Sequence, residues 1–397
     1  MIKLKHLSFL PICLIALCLI GAAASVRAED KADWLKKETQ RLIEGCQIEG
    51  ASGVILHSPD GIGHYKGIWI RDYYYIARYA GEFVSDANMK ASIQHILDRQ
   101  REDGCIPNKV QFDGRPVYSV GGKAFADHAL DNASFMALAI CEYVRRTGDY
   151  VFFRSVEPKM RRGLDHIRRA DNGLVYNPQV NSKVGYGWTD IVRKTGHLLF
   201  TSLLYYQACV ELDALQEAMG GEPLFDYSSR ADLIRKNISI LWDEQSGMFF
   251  AADKDCRQID IWGSAYAVEI GLATASQKDR IADYFITHWD GIVRDGLVRH
   301  LPEGEKWESL FSGKTQNRTL GVYMNGAYWS IPLPWVVPLV WSKEPERARQ
   351  MVNDAIEDFK ANGVAECVNE DYSRKVPNYV ASATNLYAAS KWLSSQR

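Results

Sequence analysis

Residues 67–99 read GIWIRDYYYIARYAGEFVSDANMKASIQHILDR, and this stretch sets the pattern for the rest of the chain. From Asp72 onward Tyr75, Ile76, Tyr79 and Phe83 recur mostly at spacings of three and four, and Ile93, Ile96 and Leu97 resume the rhythm. Residues three and four apart share one face of a helix, so the pattern describes apolar stripes laid against a core. The same period runs through Asp131–Thr147, Val151–Arg169, Thr195–Leu215, Ser229–Trp242, Ser264–Ala273 and Gln277–His288. It continues in Ala327–Trp341, Glu344–Ala361 and Ser382–Leu393. Alternating strand patterns are few and short, so the expected class is all-α.

The connections carry a second rhythm. Each ends in an aromatic or acidic cluster, beginning with Trp69-Ile70-Arg71-Asp72, then Asp127-His128 with Asp131-Asn132, then Trp188-Thr189-Asp190. Asp260-Ile261-Trp262-Gly263, Asn325-Gly326-Ala327-Tyr328-Trp329 and Glu366 to Asn369 leading into Tyr379 complete the series. Most successive clusters lie about 55 to 75 residues apart, which suits a pair of long helices plus a loop. Six such units describe an (α/α)6 barrel, a toroid of six inner helices ringed by six outer ones. If each cluster precedes an inner helix, all six loops open at one end, where the unpaired N–H groups of the helix starts also point. Asp131, Asp190 and Asp260 could equally serve as helix caps.

Composition narrows the function classes. A net charge of −2 carries no basic signature for nucleic acid. The chain is rich in aromatic side chains, with 11 Trp and 20 Tyr, and these offer an apolar face with a polar handle to sugar rings or to a core. Lys3 and Lys5 precede an apolar run from Leu7 to Ala24, and Val26-Arg27-Ala28 fits a small-x-small cleavage site. We therefore expect a signal peptide over residues 1–28, export to the periplasm or medium, and one catalytic domain over 29–397. The expected mature chain keeps Cys46, Cys105, Cys141, Cys209, Cys256 and Cys367. Export permits disulfides among them, Cys141 and Cys209 read as buried thiols, and no CxxC spacing or His/Cys cluster resembles a zinc site. No nucleotide loop or nucleophile elbow stands out, so no organic cofactor and no metal is expected, although oxygen ligands for calcium leave little sequence trace.

Three segments resemble the clan of (α/α)6 inverting glycosidases that includes trehalases, glucoamylases, processing α-glucosidases and glycogen-debranching glucosidases. Gly67-Ile68-Trp69-Ile70-Arg71-Asp72 looks like the W-x-R-D segment that lines the terminal sugar subsite. Gly187-Trp188-Thr189-Asp190, followed by Lys194-Thr195-Gly196 and a helix with Tyr205 and Tyr206, is similar to the segment whose Asp is the general acid. Asn325-Gly326-Ala327-Tyr328-Trp329 together with Gly363-Val364-Ala365-Glu366 resembles the C-terminal part in which a Glu activates water. Both trehalase signatures are missing, as is an N-terminal β-sandwich. The resemblance implies a six-hairpin hydrolase of an oligosaccharide or polysaccharide, with α-glucosides favoured.

Inverting hydrolysis needs an acid and a base on opposite faces of the anomeric carbon, with carboxyls roughly 6.5–9.5 Å apart. Asp190 is the candidate acid, because Tyr186 and Trp188 beside it could desolvate it and raise its pKa. Glu366 is the candidate base, with Glu370 and Glu308 as alternatives. Arg71 and Asp72 suit hydrogen bonding to sugar hydroxyls, or else a local ion pair. Trp69, Trp188, Trp262 and Trp329 are candidates for stacking on sugar faces, beside Tyr328. Trp335, flanked by Pro334 and Pro338, reads as core. His128 and Asp131 are candidate polar pocket residues. Two other readings stand beside hydrolysis. One is uronyl hydrolase or lyase chemistry through His128, Arg193 and Tyr186, and the other is a carbohydrate-binding protein without turnover.

Overall fold

The computed structural model describes residues 31–51, 53–120, 126–311 and 318–396. The expected signal peptide and cleavage site lie outside these residues. The helices are α1 (31–45), α2 (Ile70–Ala80), α3 (Asp86–Leu97), α4 (Asn132–Thr147), α5 (Tyr150–His166), α6 (Leu199–Met219) and α7 (Tyr227–Asn237). They continue as α8 (Ile261–Glu269), α9 (Ala275–Thr287), the single turn α10 (Trp289–Ile292), α11 (Leu333–Trp341), α12 (Pro345–Asn362) and α13 (Val380–Ser394). Helix α2 packs on α4, α4 on α6, α6 on α8, α8 on α11, α11 on α13, and α13 back on α2. That closed cycle is the inner ring of an (α/α)6 toroid, and each inner helix follows one of the six clusters.

Burial separates the rings. In α13 every residue from Val380 to Tyr387 is buried, and α6 is buried without a break from Leu199 to Cys209. The outer helices bury one stripe only, as with Phe152, Phe153, Val156, Met160 and Leu164 of α5 or Ala348, Met351, Val352, Ala355, Ile356 and Phe359 of α12. The run expected as helix from Asp72 to Arg99 breaks at Gly81–Phe83, a 3-10 turn that lets α3 fold back outside α2. Such a turn is the short connector an αα-hairpin needs. All six described cysteines are free and buried.

The loops carry the few short strands of the fold. They pair into short antiparallel sheets, of which the largest runs Val293–Arg294, Leu297–Arg299, Tyr328–Trp329, Ala365–Val368 and Arg374–Pro377. Each strand is too brief to show a period of two, which is why the pattern did not announce it. Among the described residues no helix is long and apolar enough to cross a membrane.

The axis of the ring is filled. Tyr75, Phe135, Phe200, Tyr266 and Trp335, one each from α2, α4, α6, α8 and α11, meet with ring centroids 4.8 to 6.4 Å apart. Trp335 is therefore core, and its indole N–H donates to the Tyr79 hydroxyl at 3.2 Å. These rings lie close to the first turns of their helices and close the barrel beneath the loop end.

Candidate active site

Three carboxyls gather above that aromatic floor. Glu366 lies on the buried strand Ala365–Val368, Asp72 in the first turn of α2, and Asp190 at the end of the 3-10 turn Gly187–Thr189. Glu366 Oε1 accepts hydrogen bonds from Tyr65 (2.8 Å) and Tyr323 (3.2 Å), and Asp72 Oδ1 accepts one from Tyr379 (2.6 Å). Burial pushes the Glu366 carboxyl up to about 8, opposed by the two phenols and reinforced by the charges of Asp72 and Asp190. Burial likewise raises Asp190 to about 7 against the pull of Arg71, and Asp72 to about 6 against Tyr379 and Arg71. Desolvation outweighs hydrogen bonding at all three. The charges of Asp72 and Asp190 act on Glu366, so these carboxyls do not titrate independently.

Arg71 and Asp131 form the frame beside them. The buried Arg71 guanidinium reaches Asn108 Oδ1 (2.7 Å), Asn132 Oδ1 (3.1 Å) and Asp131 Oδ1 (3.2 Å). Asp131 Oδ2 also accepts the Gly187 N–H at 2.8 Å, which ties the Asp190 turn to the ion pair. A Cβ at Gly187 would stand 2.0 Å from the Arg71 guanidinium, so only glycine lets the turn pass there. Asp131 occupies the cap position of α4 without capping it. Asp260 does cap α8 through Gly263 N–H (2.7 Å), and it accepts from His300 Nε2 at 2.9 Å. Burial works against its charge, yet His300 and Lys194 hold its carboxyl below the usual range.

The aromatic candidates form the walls. Trp69 meets Tyr65 at 5.3 Å with Lys109 over its ring, Trp188 packs on Tyr75 (5.1 Å), and Trp262 stacks on His300 (4.4 Å) and meets Trp329 edge-on. The indole N–H groups of Trp69, Trp188 and Trp262 are buried and meet no acceptor among the described residues. Unpaired buried donors are costly, so three of them around one centre mark positions where water or ligand oxygens complete the bonding. Tyr328 lies under Arg294 (4.1 Å) and Arg299 (5.3 Å) on the rim sheet.

Other sequence candidates fall elsewhere. Glu308 and Glu370 are exposed, and Glu370 faces Arg299 at 3.6 Å. His128 lies with Cys105 and His166 rather than with the three carboxyls. Arg193 is held by Asp255 (3.0 Å) and Ser309 (3.0 Å), and Tyr186 is stacked into the core on Phe200 (4.1 Å). The residues named for uronyl chemistry are thus dispersed.

Tyr65 and Tyr323 escaped the sequence reading. Tyr65 is positioned by Asp60, whose carboxylate accepts the N–H groups of Ile62, His64 and Tyr65. The spacing of Asp60 with Gly61 and Gly63 was the available signal for that tight loop. Tyr323 takes a left-handed φ of 51°, held by its N–H donating to Asn369 Oδ1 at 2.9 Å. A non-glycine residue in that region is strained and often found where a side chain must be aimed.

This is the fold of the six-hairpin toroids on which glycosidases of the GH63 and GH78 families are built. An uncharacterized conserved protein from Thermus thermophilus superposes with a TM-score of 0.65 at 15% identity, covering 89% of this chain and 99% of the other. The GH63 mannosylglycerate hydrolase of that organism, solved with Tris and D-glycerate, gives 0.63 at 15% identity over the same shares. A rhamnosidase from Klebsiella oxytoca with rhamnose bound gives 0.62 at 13% identity, covering 91% of this chain and 64% of that one. No protein-family model and no curated sequence matches the chain.

Proposed function

We propose that the chain is an exported, inverting glycoside hydrolase acting on an α-glucoside-type bond, with Asp190 as general acid and Glu366 as general base. The observation that supports this reading is a pair of buried carboxyls, Glu366 under two phenols and Asp190 beside Arg71, whose charges act on one another. Two phenols donate to Glu366, yet burial and the charges of Asp72 and Asp190 set its carboxyl at about 8, above Asp190 at about 7, so in the free protein the proton rests mainly on Glu366. The proposed reaction requires substrate binding to leave Glu366 ionised and the proton on Asp190. That proton passes to the glycosidic oxygen as the bond to the anomeric carbon breaks. Glu366 takes a proton from a water whose oxygen bonds that carbon from the opposite face. The buried indole N–H groups and Asp72 supply hydrogen bonds to the sugar hydroxyls. The shared fold with glycosidases supports the reading, and fold by itself does not fix chemistry.

The test is a panel of α- and β-linked disaccharides and oligosaccharides, with product anomers followed by NMR, for the mature protein, Asp190→Asn and Glu366→Gln. We expect inverted product from the parent and rates at least about a hundredfold lower in both variants, the usual size of an acid–base contribution. Full activity in Asp190→Asn overturns the acid assignment. Saturable binding without turnover on any sugar would make the protein a carbohydrate-binding toroid.

A further inference from the structure

Cys105, His128 and His166 come from three separate segments, and one ligand atom of each lies within 4.8 Å of the other two. Cys105 and His128 are buried, and the imidazole rings stand 4.9 Å apart. Cys105 belongs to the connection after α3, His128 to the loop before α4, and His166 to the last turn of α5. We propose that these three side chains bind a zinc-class divalent ion that staples the loop before α4 to the outer ring.

The second sphere is arranged for it. His166 Nδ1 lies 3.0 Å from the Asp103 carbonyl oxygen, which can only accept, so Nδ1 carries the proton and Nε2 keeps a free lone pair. That Nε2 is buried and has no hydrogen-bond partner among the described residues. His128 Nδ1 lies 3.1 Å from the Asp127 carboxylate, near it but without hydrogen-bond geometry. Imidazoles that bind metals characteristically carry such a carbonyl or carboxylate on the ring's other side. His166 also stands at a helix C-terminus, where the dipole favours a cation. One thiolate with two imidazoles suits zinc over calcium or magnesium. Tetrahedral coordination at about 2.3 Å for sulfur and about 2.0 Å for nitrogen places ligands roughly 3.3–3.7 Å apart, so the three close in by about 1 Å. On binding, the Cys105 S–H loses its proton to solvent as the sulfur–metal bond forms, and water takes the fourth position.

The ion would not touch the carboxyl centre. Its target is the segment three residues ahead of Asp131, the partner of Arg71 and Gly187. None of this depends on the hydrolytic reading, because the assay follows coordination alone.

The experiment is a Co²⁺ titration of the untagged, EDTA-treated full-length mature protein, read by visible absorption. We expect one equivalent bound, with tetrahedral ligand-field bands and a thiolate-to-cobalt charge-transfer band that added Zn²⁺ displaces. Cys105→Ser should abolish the charge-transfer band, and His166→Gln should weaken binding at least about tenfold, the lower range for losing even an outer partner. Circular dichroism checks that both variants stay folded. No charge-transfer band in the parent overturns the proposal, as does a band that persists in Cys105→Ser.

Discussion

In the outer ring Ser85, Asp149, Asp226 and Thr274 each fold a side-chain oxygen back onto an N–H of their own helix, whereas α2, α4, α6, α11 and α13 of the inner ring begin without such a bond. The inner starts are not abandoned. Ile70 N–H goes to the Asn108 carbonyl, Leu199 N–H to that of Ala251 and Val380 N–H to that of Pro59. At α2, α6 and α13 loop backbone performs the capping that side chains perform at α3, α5, α7 and α9, while the outer α12 also begins without a side-chain cap. An aspartate that caps has spent its oxygens on amides. Asp72 and Asp131 instead face Tyr379 and Arg71, and burial raises the Asp190 carboxyl to about 7. Asp260 does both jobs, and it is the carboxylate whose pKa is lowered.

Three changes test this division of labour. The largest effect should come from Arg71→Ala, which leaves Asp131 buried without its cation. We expect a loss of about 3–5 kcal/mol in urea unfolding, as for other broken buried pairs. A loss below about 1 kcal/mol would mean that Gly187 and water satisfy Asp131 unaided. Next comes Glu366→Gln, compared with the parent across pH. The Glu366 carboxyl is raised from 4.5 to about 8 by folding, so the native state holds the proton longer than the unfolded chain does. Parent stability should therefore fall with rising pH between those values, by about 1.4 kcal/mol per unit. Between about pH 5.5 and about pH 7.5 the variant should gain about 3 kcal/mol on the parent, and a constant difference would show that Glu366 is not desolvated. Asp149→Ala is the smallest. It removes an outer cap at a cost of about 1 kcal/mol, and activity on whichever sugar of the panel the parent hydrolyses should stay unchanged.

Much of the architecture could be read from the residues because both signals were local. The helical period marks each element, and the clusters ahead of α2, α4, α6, α8, α11 and α13 mark which helices form the inner ring. Glu366 and Asp190 stood out by position within those clusters. What the sequence did not disclose depends on partners far apart along the chain. Tyr65 meets Glu366 across 301 positions and Tyr379 meets Asp72 across 307. Nothing near Cys105 announces His128 or His166. The choice between Asp131 as cap and Asp131 as ion-pair partner was also closed to local reading, since its neighbours are the same in both cases.

The stacked rings of Tyr75, Phe135, Phe200, Tyr266 and Trp335 have a kinetic meaning under the proposed hydrolysis. Under that reading the substrate enters from the loop end, because these rings pack across the axis. The fragment on the leaving-group side is then nearer solvent and departs first, and the sugar resting on the floor follows it. Product inhibition should reflect that order. The deep sugar should compete directly with substrate for the free protein, and the outer fragment should act on the complex that still holds the deep sugar.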